Sequence, residues 1–164
     1  MRGTTRFLLI GLAGVALAAP VSGQRTDDQL VAKSVELQKQ GRALLTAGKL
    51  NEAEDVFETA LAVDPRNRSA FVDLARVAEK QHLFGKVIRM TNKALLLEPN
   101  DPDAIAVQGE AMVELGATAR AQANLQKLQQ ICRQGCPQVA QLSAAISRGP
   151  TVAAAKTPPT PKDN

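Results

Sequence analysis

Apolar side chains recur at helical spacing through the middle of the chain. Between residues 50 and 63, Ala53, Phe57 and Ala60 fall on one helical face, whereas Glu52 and Glu58 fall on others. Proline follows this stretch and again follows the next comparable one, and it prevents a helix from continuing. The pattern therefore predicts short amphipathic helices that each bury one face against a neighbour.

The pattern repeats at an offset of 34 residues. The small residue at which two helices must touch is Gly41, then Ala75, then Gly109. A second small contact position follows, at Ala53, Val87 and Ala121. A 34-residue period is typical of helix-turn-helix solenoids, so we expect two helices per unit. A further helix over about residues 137–148 carries Val139, Leu142 and Ile146 along one side.

The residues of the first unit stand at the spacings of a known repeat: Gly41, Leu44, Gly48, Ala53, Phe57, Ala60 and the closing Pro65. The second unit retains Phe71, Leu74, Ala75, Ala94 and Pro99, and the third retains Gly109, Met112, Gly116 and Ala121. On these residues, over about 34–135, the chain resembles the tetratricopeptide repeat family. The resemblance implies an all-α fold, a right-handed α-solenoid of three helix-turn-helix hairpins plus a C-terminal capping helix.

The N-terminus has the features of an export signal. Arg2 and Arg6 are followed by 13 mostly apolar, uncharged residues, 7–19, whereas about 20 are needed to span a bilayer as a helix. We predict a cleaved signal peptide over 1–23, cut after Gly23 or alternatively after Ala18. The mature protein is then expected to be periplasmic or secreted, without a stable membrane span.

The remaining segments follow from the repeat. We predict an N-terminal extension of the first helix (24–33), repeats over 34–67, 68–101 and 102–135, and a capping helix over 136–148. Residues 149–164 are rich in Pro, Thr and Lys and have too little apolar surface to fold, so they are expected to form a disordered tail.

Composition excludes several classes of function. Phe is the only aromatic residue type, which favours a closely packed helical core of Ala, Leu, Val and Ile. The net charge of +4 falls to +2 when Arg2 and Arg6 leave with the signal, an excess too small to indicate nucleic acid. The only histidine, His82, occupies a predicted turn where the other units have glycine. No catalytic motif is present, so we expect no enzyme, cofactor or metal.

Cys132 and Cys136 are the only cysteines and lie between the third unit and the capping helix. In an exported protein such a pair is expected to form a structural disulfide. A redox-active pair and a metal site are the alternatives. The three-residue spacing disfavours the first, because redox pairs usually have two residues between the cysteines, and the shortage of other ligands disfavours the second.

The family resemblance implies that the first helix of each hairpin lines a concave groove. The predicted groove residues are Val35, Gln38, Arg42, Leu45, Ser69, Val72, Arg76, Glu79, Lys80, Asp103, Ala106, Glu110, Val113 and Glu114. The first two units are basic here and the third is acidic, so a segment with the opposite charge order would fit. The alternative is that these residues form only the solvated side of amphipathic helices.

These observations indicate a non-catalytic adaptor of the bacterial cell envelope, a monomer or weak oligomer that binds an extended or helical segment of an envelope protein. Relatives that bind a free C-terminus have Lys and Asn in the first helix, where this chain has Gln38 and Arg42, so that ligand is not predicted. Two alternatives are a thiol-active helper that uses Cys132 and Cys136, and a self-associating scaffold.

Overall fold

The computed structural model describes residues 29–151, and within them it contains seven α-helices and no strand. The helices are α1 (Ala32–Thr46), α2 (Leu50–Val63), α3 (Arg68–Lys80), α4 (Phe84–Leu97), α5 (Pro102–Glu114), α6 (Thr118–Ile131) and α7 (Pro137–Arg148). Consecutive pairs form three hairpins that stack in chain order, and α7 packs against α5 and α6. The predicted all-α solenoid with a capping helix is therefore confirmed.

The beginning of the array differs from the prediction. The predicted signal, 1–23, and residues 24–28 of the predicted helical extension lie outside the described part of the chain. Residues 29–31 are not helical, and α1 begins only at Ala32. The reason is a tertiary contact, because the backbone N–H of Val31 donates to Asp64 Oδ2 at 2.9 Å and holds the chain in an extended conformation.

Asp64, at the end of α2, connects the start of the first hairpin to the loop that follows α2. Its buried carboxylate accepts hydrogen bonds from the Arg66 backbone N–H at 3.0 Å and from Arg66 Nε at 3.1 Å, in addition to the one from Val31. The Arg66 side chain and then the Val31 N–H lower the pKa of Asp64 to about 2. The carboxylate therefore stays ionised at any pH at which the protein is expected to work.

The two helices of each hairpin are joined through a residue with positive φ. Gly48 and Gly116 have φ of 75° and 76°, and His82 has φ of 58° at the equivalent place in the second hairpin. Such a conformation costs a residue with a Cβ about 1 kcal/mol or more relative to glycine. His82 is exposed, which confirms the prediction of a solvated turn residue.

Two glycines allow helices to approach closely. A Cβ added at Gly41 would lie 2.5 Å from Phe57 Cε1, and one added at Gly109 would lie 2.7 Å from Leu142 Cδ1. Carbon atoms not bonded to each other prefer about 3.5–4.0 Å, so neither position has room for a side chain. The space beside Gly41 is filled by Phe57 from α2 of the same hairpin. The space beside Gly109 is filled by Leu142 from α7, the capping helix.

Replacing Gly41 by alanine should therefore destabilise the protein by about 1–3 kcal/mol, because the added methyl displaces the Phe57 ring. Urea denaturation followed by circular dichroism measures the change. Gly85→Ala is the matched control, since Gly85 lies in α4 with no heavy atom within 4 Å of the added Cβ. It should leave stability unchanged or raise it by up to about 1 kcal/mol. Equal effects of the two substitutions would contradict the packing argument.

Candidate partner-binding groove

The first helices of the hairpins form a continuous row. Helix α1 contacts α3, α3 contacts α5, and α5 contacts α7, in addition to the contacts within each hairpin. Because neighbouring helices touch directly along this row, it lies on the inner, concave side of the stack. The predicted groove residues belong to α1, α3 and α5, so their accessibility depends on how closely these helices pack in the row.

The predicted groove residues fall into three groups. The exposed ones are Val35, Arg42 and Lys80. The partly buried ones are Leu45, Ser69, Arg76, Glu79, Asp103, Glu110 and Glu114. The buried ones are Gln38, Val72, Ala106 and Val113. The structure thus brings the set onto one side of the array but does not leave all of it accessible.

The four buried side chains cannot contact a partner, contrary to the prediction. Val72 packs with Ala94 and Ala104 in one cluster, and Ala106 packs in the neighbouring cluster around Leu128. Gln38 donates from Nε2 to Asp73 Oδ2 at 2.7 Å. The reason is that successive first helices lie in direct contact, so the middle of the predicted inner stripe becomes the interface between hairpins.

Two arginines of the row are engaged within the fold. Arg42 Nε donates to Asp73 Oδ2 at 2.7 Å, and Arg76 Nη2 donates to Asp103 Oδ1 at 2.9 Å. Each pair joins one hairpin to the next. The basic half of the predicted groove is therefore largely neutralised by acids of the following unit. Asp73 was missed by the sequence analysis, although its place between apolar residues of α3 was a signal.

Asp73 and Asp103 should contribute differently to the free energy of unfolding because their side chains differ in burial. The side chain of Asp73 is 3% exposed and that of Asp103 is 49% exposed. Asp73→Asn should cost about 1–3 kcal/mol, because a buried charge-assisted network is broken. Asp103→Asn, the matched control, should cost at most about 1 kcal/mol. Urea midpoints of the two variants measure the difference, and an equal cost would contradict a structural role specific to Asp73.

A recess with carboxyl groups lies where α3, α5 and α7 meet. We call it the acidic recess; its volume is about 360 Å³. The lining residues are Glu79, His82, Phe84, Glu110, Glu114, Gln141, Ala144, Ala145, Arg148 and Thr151. Three predicted groove residues, all glutamates, are therefore brought together at one end of the row.

The capping helix contributes one wall of the recess, which the sequence analysis missed. Gln141, Ala144 and Arg148 recur at helical spacing beside the apolar side of α7 and could have been recognised as a second face. The chain then turns at Gly149, where φ is 73°. Thr151 donates from its backbone N–H and its hydroxyl to the Glu114 carboxylate, each at 2.9 Å. The first residues of the predicted tail thus contact the groove, whereas 152–164 lie outside the described residues.

The carboxyl groups of the recess influence one another. Burial, followed by the charge of Glu110 and a hydrogen bond to it, raises the pKa of Glu79 to about 7, against the smaller opposing effects of Arg76 and Lys80. Glu79 is therefore partly protonated near neutral pH, and a positively charged group placed beside it would favour its ionised form.

This pKa makes stability depend on pH. Because the pKa of Glu79 rises from 4.5 to about 7 on folding, the folded state binds the proton more tightly, and its contribution to stability is lost as pH rises from about 4.5 to 7. Glu79→Gln should remove this decline, since glutamine keeps the hydrogen bond without the charge. The measurement is the difference in urea midpoint between the variant and the parent at pH 5 and pH 8. A constant difference would contradict the shifted pKa.

Other charged or titratable groups also line the recess. His82 and Arg148 line it, and Glu114 adds a negative charge from α5. The exposed Glu98, at the end of α4, provides the control substitution Glu98→Gln. Its effect on the urea midpoint should be the same at both pH values.

Cys132 and Cys136 lie in disulfide geometry in the loop between α6 and α7, with Cα atoms 5.6 Å apart. A disulfide at this position would link the end of the third hairpin to the capping helix. Within residues 29–151 no group of three or more His, Cys, Asp or Glu side chains is placed to hold a metal ion. In the same residues, none of the helices has the length and apolar character needed to cross a membrane.

Comparison with known proteins agrees with this architecture. Residues 44–109 match the sequence profile of the tetratricopeptide repeat. Over 72 residues, 43% of this chain, the sequence is 39% identical to the cellulose synthase 2 operon protein C of Komagataeibacter xylinus, of whose length the match covers 5%. The matched residues are therefore of the tetratricopeptide repeat type.

Solved structures share the fold over most of the chain. The TPR2B domain of yeast Sti1, in a complex with an Hsp70 peptide, superposes with a TM-score of 0.66 at 19% identity over 72% of this chain and 98% of that one. PcrH, in complex with the chaperone-binding region of PopD, has a TM-score of 0.61 at 19% identity over 75% and 92%. The fold is thus that of a tetratricopeptide-type α-solenoid.

Proposed function

We propose that the protein is an exported, non-catalytic adaptor of the bacterial cell envelope that binds a segment of a partner protein along the row of first helices. The observation that carries the proposal is the acidic recess at the end of that row, because it combines carboxyl groups with the apolar walls of Phe84 and Ala144. Solved proteins of the same fold bind partner segments, including the Hsp70 complex of Sti1 and the PcrH complex with PopD.

The partner segment should carry positive charge. Arg42 and Arg76 are held by Asp73 and Asp103, so the charge that the row presents to a ligand comes mainly from the glutamates of the acidic recess. A lysine or arginine could place its aliphatic stem on the apolar wall and its charged end near the carboxyl groups. Exposed Val35 offers a further apolar contact at the other end of the row.

Export is supported by the N-terminal sequence, and the Cys132–Cys136 disulfide is consistent with an oxidising compartment. In this proposal the disulfide is structural and fixes the capping helix, and with it one wall of the acidic recess. No comparison supports the thiol-active alternative, and nothing in the described residues favours a self-associating scaffold over a monomer.

Site-specific photocrosslinking in intact cells tests the proposal. A photoreactive amino acid at Lys80, exposed on α3 of the row, should form a discrete adduct with an envelope protein. The matched control is Leu96, which belongs to the second helix of its hairpin and is 84% exposed. It should give no such adduct. Equal adducts from both positions, or adducts only with cytoplasmic proteins, would contradict the proposal.

Charge reversal then tests the acidic recess itself. Glu110→Lys should weaken binding of the identified partner at least about tenfold, because it places a cation where a cation is expected to bind. Glu98→Lys, on an exposed residue away from the recess, should leave binding unchanged. Circular dichroism confirms that both variants remain helical, and similar binding by both would contradict a role for the recess.

A further inference from the structure

A second cavity lies beside the acidic recess, where the turn of the second hairpin meets the end of α5. We call it the turn pocket; its volume is about 400 Å³. The lining residues are His82, Leu83, Phe84, Gly85, Lys86, Arg89 and Leu115. No acid is among them, whereas three of the residues that line the acidic recess are glutamates. His82 and Phe84 line both cavities, so two cavities of opposite charge are neighbours.

The residues around the turn pocket differ from those at the preceding step of the array. Between the first two hairpins, Gln81 donates from Nε2 to Glu54 Oε2 at 3.2 Å and to Asn51 Oδ1 at 3.5 Å. At the offset of 34 residues, the equivalents of these three positions are Leu115, Ile88 and Gly85. Because leucine cannot donate a hydrogen bond and glycine has no side chain, the polar contact that joins the first two hairpins here is missing between the second and the third.

The apolar wall of the turn pocket is exposed. Leu83, at the start of α4, is 49% exposed, and Leu115, at the end of α5, is 56% exposed. Two large aliphatic side chains from successive hairpins therefore border one cavity. Covering them with another apolar side chain would remove apolar surface from water, which is favourable.

A cation borders the same cavity. Arg89 is exposed and forms no ion pair within residues 29–151. Lys86, by contrast, is paired with Glu54 of the first hairpin. The residue equivalent to Arg89 at the preceding step is Asp55, so the charge at this place is reversed. Arg89 is therefore available to bind a carboxylate, for which a guanidinium group is well suited.

We propose that the turn pocket binds a segment of a partner protein in which a large aliphatic side chain is flanked by carboxylates. The aliphatic side chain packs against Leu83 and Leu115, and a carboxylate accepts hydrogen bonds from the Arg89 guanidinium. This ligand has the opposite charge to the one proposed for the acidic recess, so the turn pocket is a second site. Its occupation does not require the acidic recess, and the purified protein tests it separately from the proposed function.

Backbone NMR of the full-length mature protein tests the proposal with a synthetic peptide, acetyl-Gly-Ser-Glu-Leu-Glu-Ser-Gly-amide. The peptide should shift the amide signals of Leu83, Phe84 and Leu115 most and should bind with a dissociation constant of about 1 mM or tighter. Two matched peptides, one with lysine in place of both glutamates and one with serine in place of leucine, should bind at least about tenfold more weakly at these amides. Equal binding of all three peptides, or shifts located elsewhere, would overturn the proposal.

Charge reversal in the protein tests the role of the arginine. Arg89→Glu should weaken binding of the glutamate peptide at least about tenfold, because it places like charges together. Arg133→Glu is the matched control, since Arg133 is an exposed arginine in the loop after α6 and does not line the turn pocket. It should leave the affinity unchanged, and similar losses in the two variants would contradict a specific contact with Arg89.

A double variant, Gly85→Asn with Leu115→Gln, restores two polar residues of the preceding step. Both positions are exposed, and a Cβ added at Gly85 meets no heavy atom within 4 Å, so circular dichroism should show unchanged helicity. Binding of the glutamate peptide should again fall at least about tenfold, and undiminished binding would contradict the assignment of the turn pocket. Shifts of the same amides on dilution of the protein alone would indicate a second copy of the chain as the occupant and would also overturn the proposal.

Discussion

The rest of this structure depends on the close approach of helices at two glycines, where no side chain keeps the helices apart. At Gly41 the ring of Phe57 occupies the volume that a Cβ would need, and α1 and α2 approach closely enough to bury Ala53 and Phe57 completely. Each hairpin still has an apolar face to cover, so the next hairpin must follow. Where the hairpins end, α7 meets the same requirement by placing Leu142 at Gly109.

Stacking and recognition compete for the same residues along the row of first helices. Val72 is used in packing, and Arg42 is used in an ion pair that joins two hairpins. Side chains in the middle of the row are therefore engaged within the fold, and few of them are available to bind a ligand. The acidic recess avoids this competition because it lies at the last step, between α5 and a capping helix that no further hairpin covers within residues 29–151.

The sequence predicted what depends on local spacing. The capping helix was expected over 136–148 and is observed at Pro137–Arg148, and the turn at His82 follows from its equivalence to two glycines. The sequence could not predict the burial of Gln38, because accessibility depends on the angle between hairpins, which helical periodicity does not contain. The pairing of Glu79 with Glu110 also joins separate hairpins, and only their packing brings the two carboxyl groups together.

A comparison of equivalent positions shows why the acidic recess is more than a by-product of packing. At the offset of 34 residues, Arg42 corresponds to Arg76 and then to Glu110. The two arginines each meet an acid of the next hairpin, whereas Glu110 meets the acid Glu79 of the preceding one. An arginine at 110 would place opposite charges together and would serve folding better. Glutamate there raises the cost of folding at high pH, and a positively charged ligand is what would offset that cost.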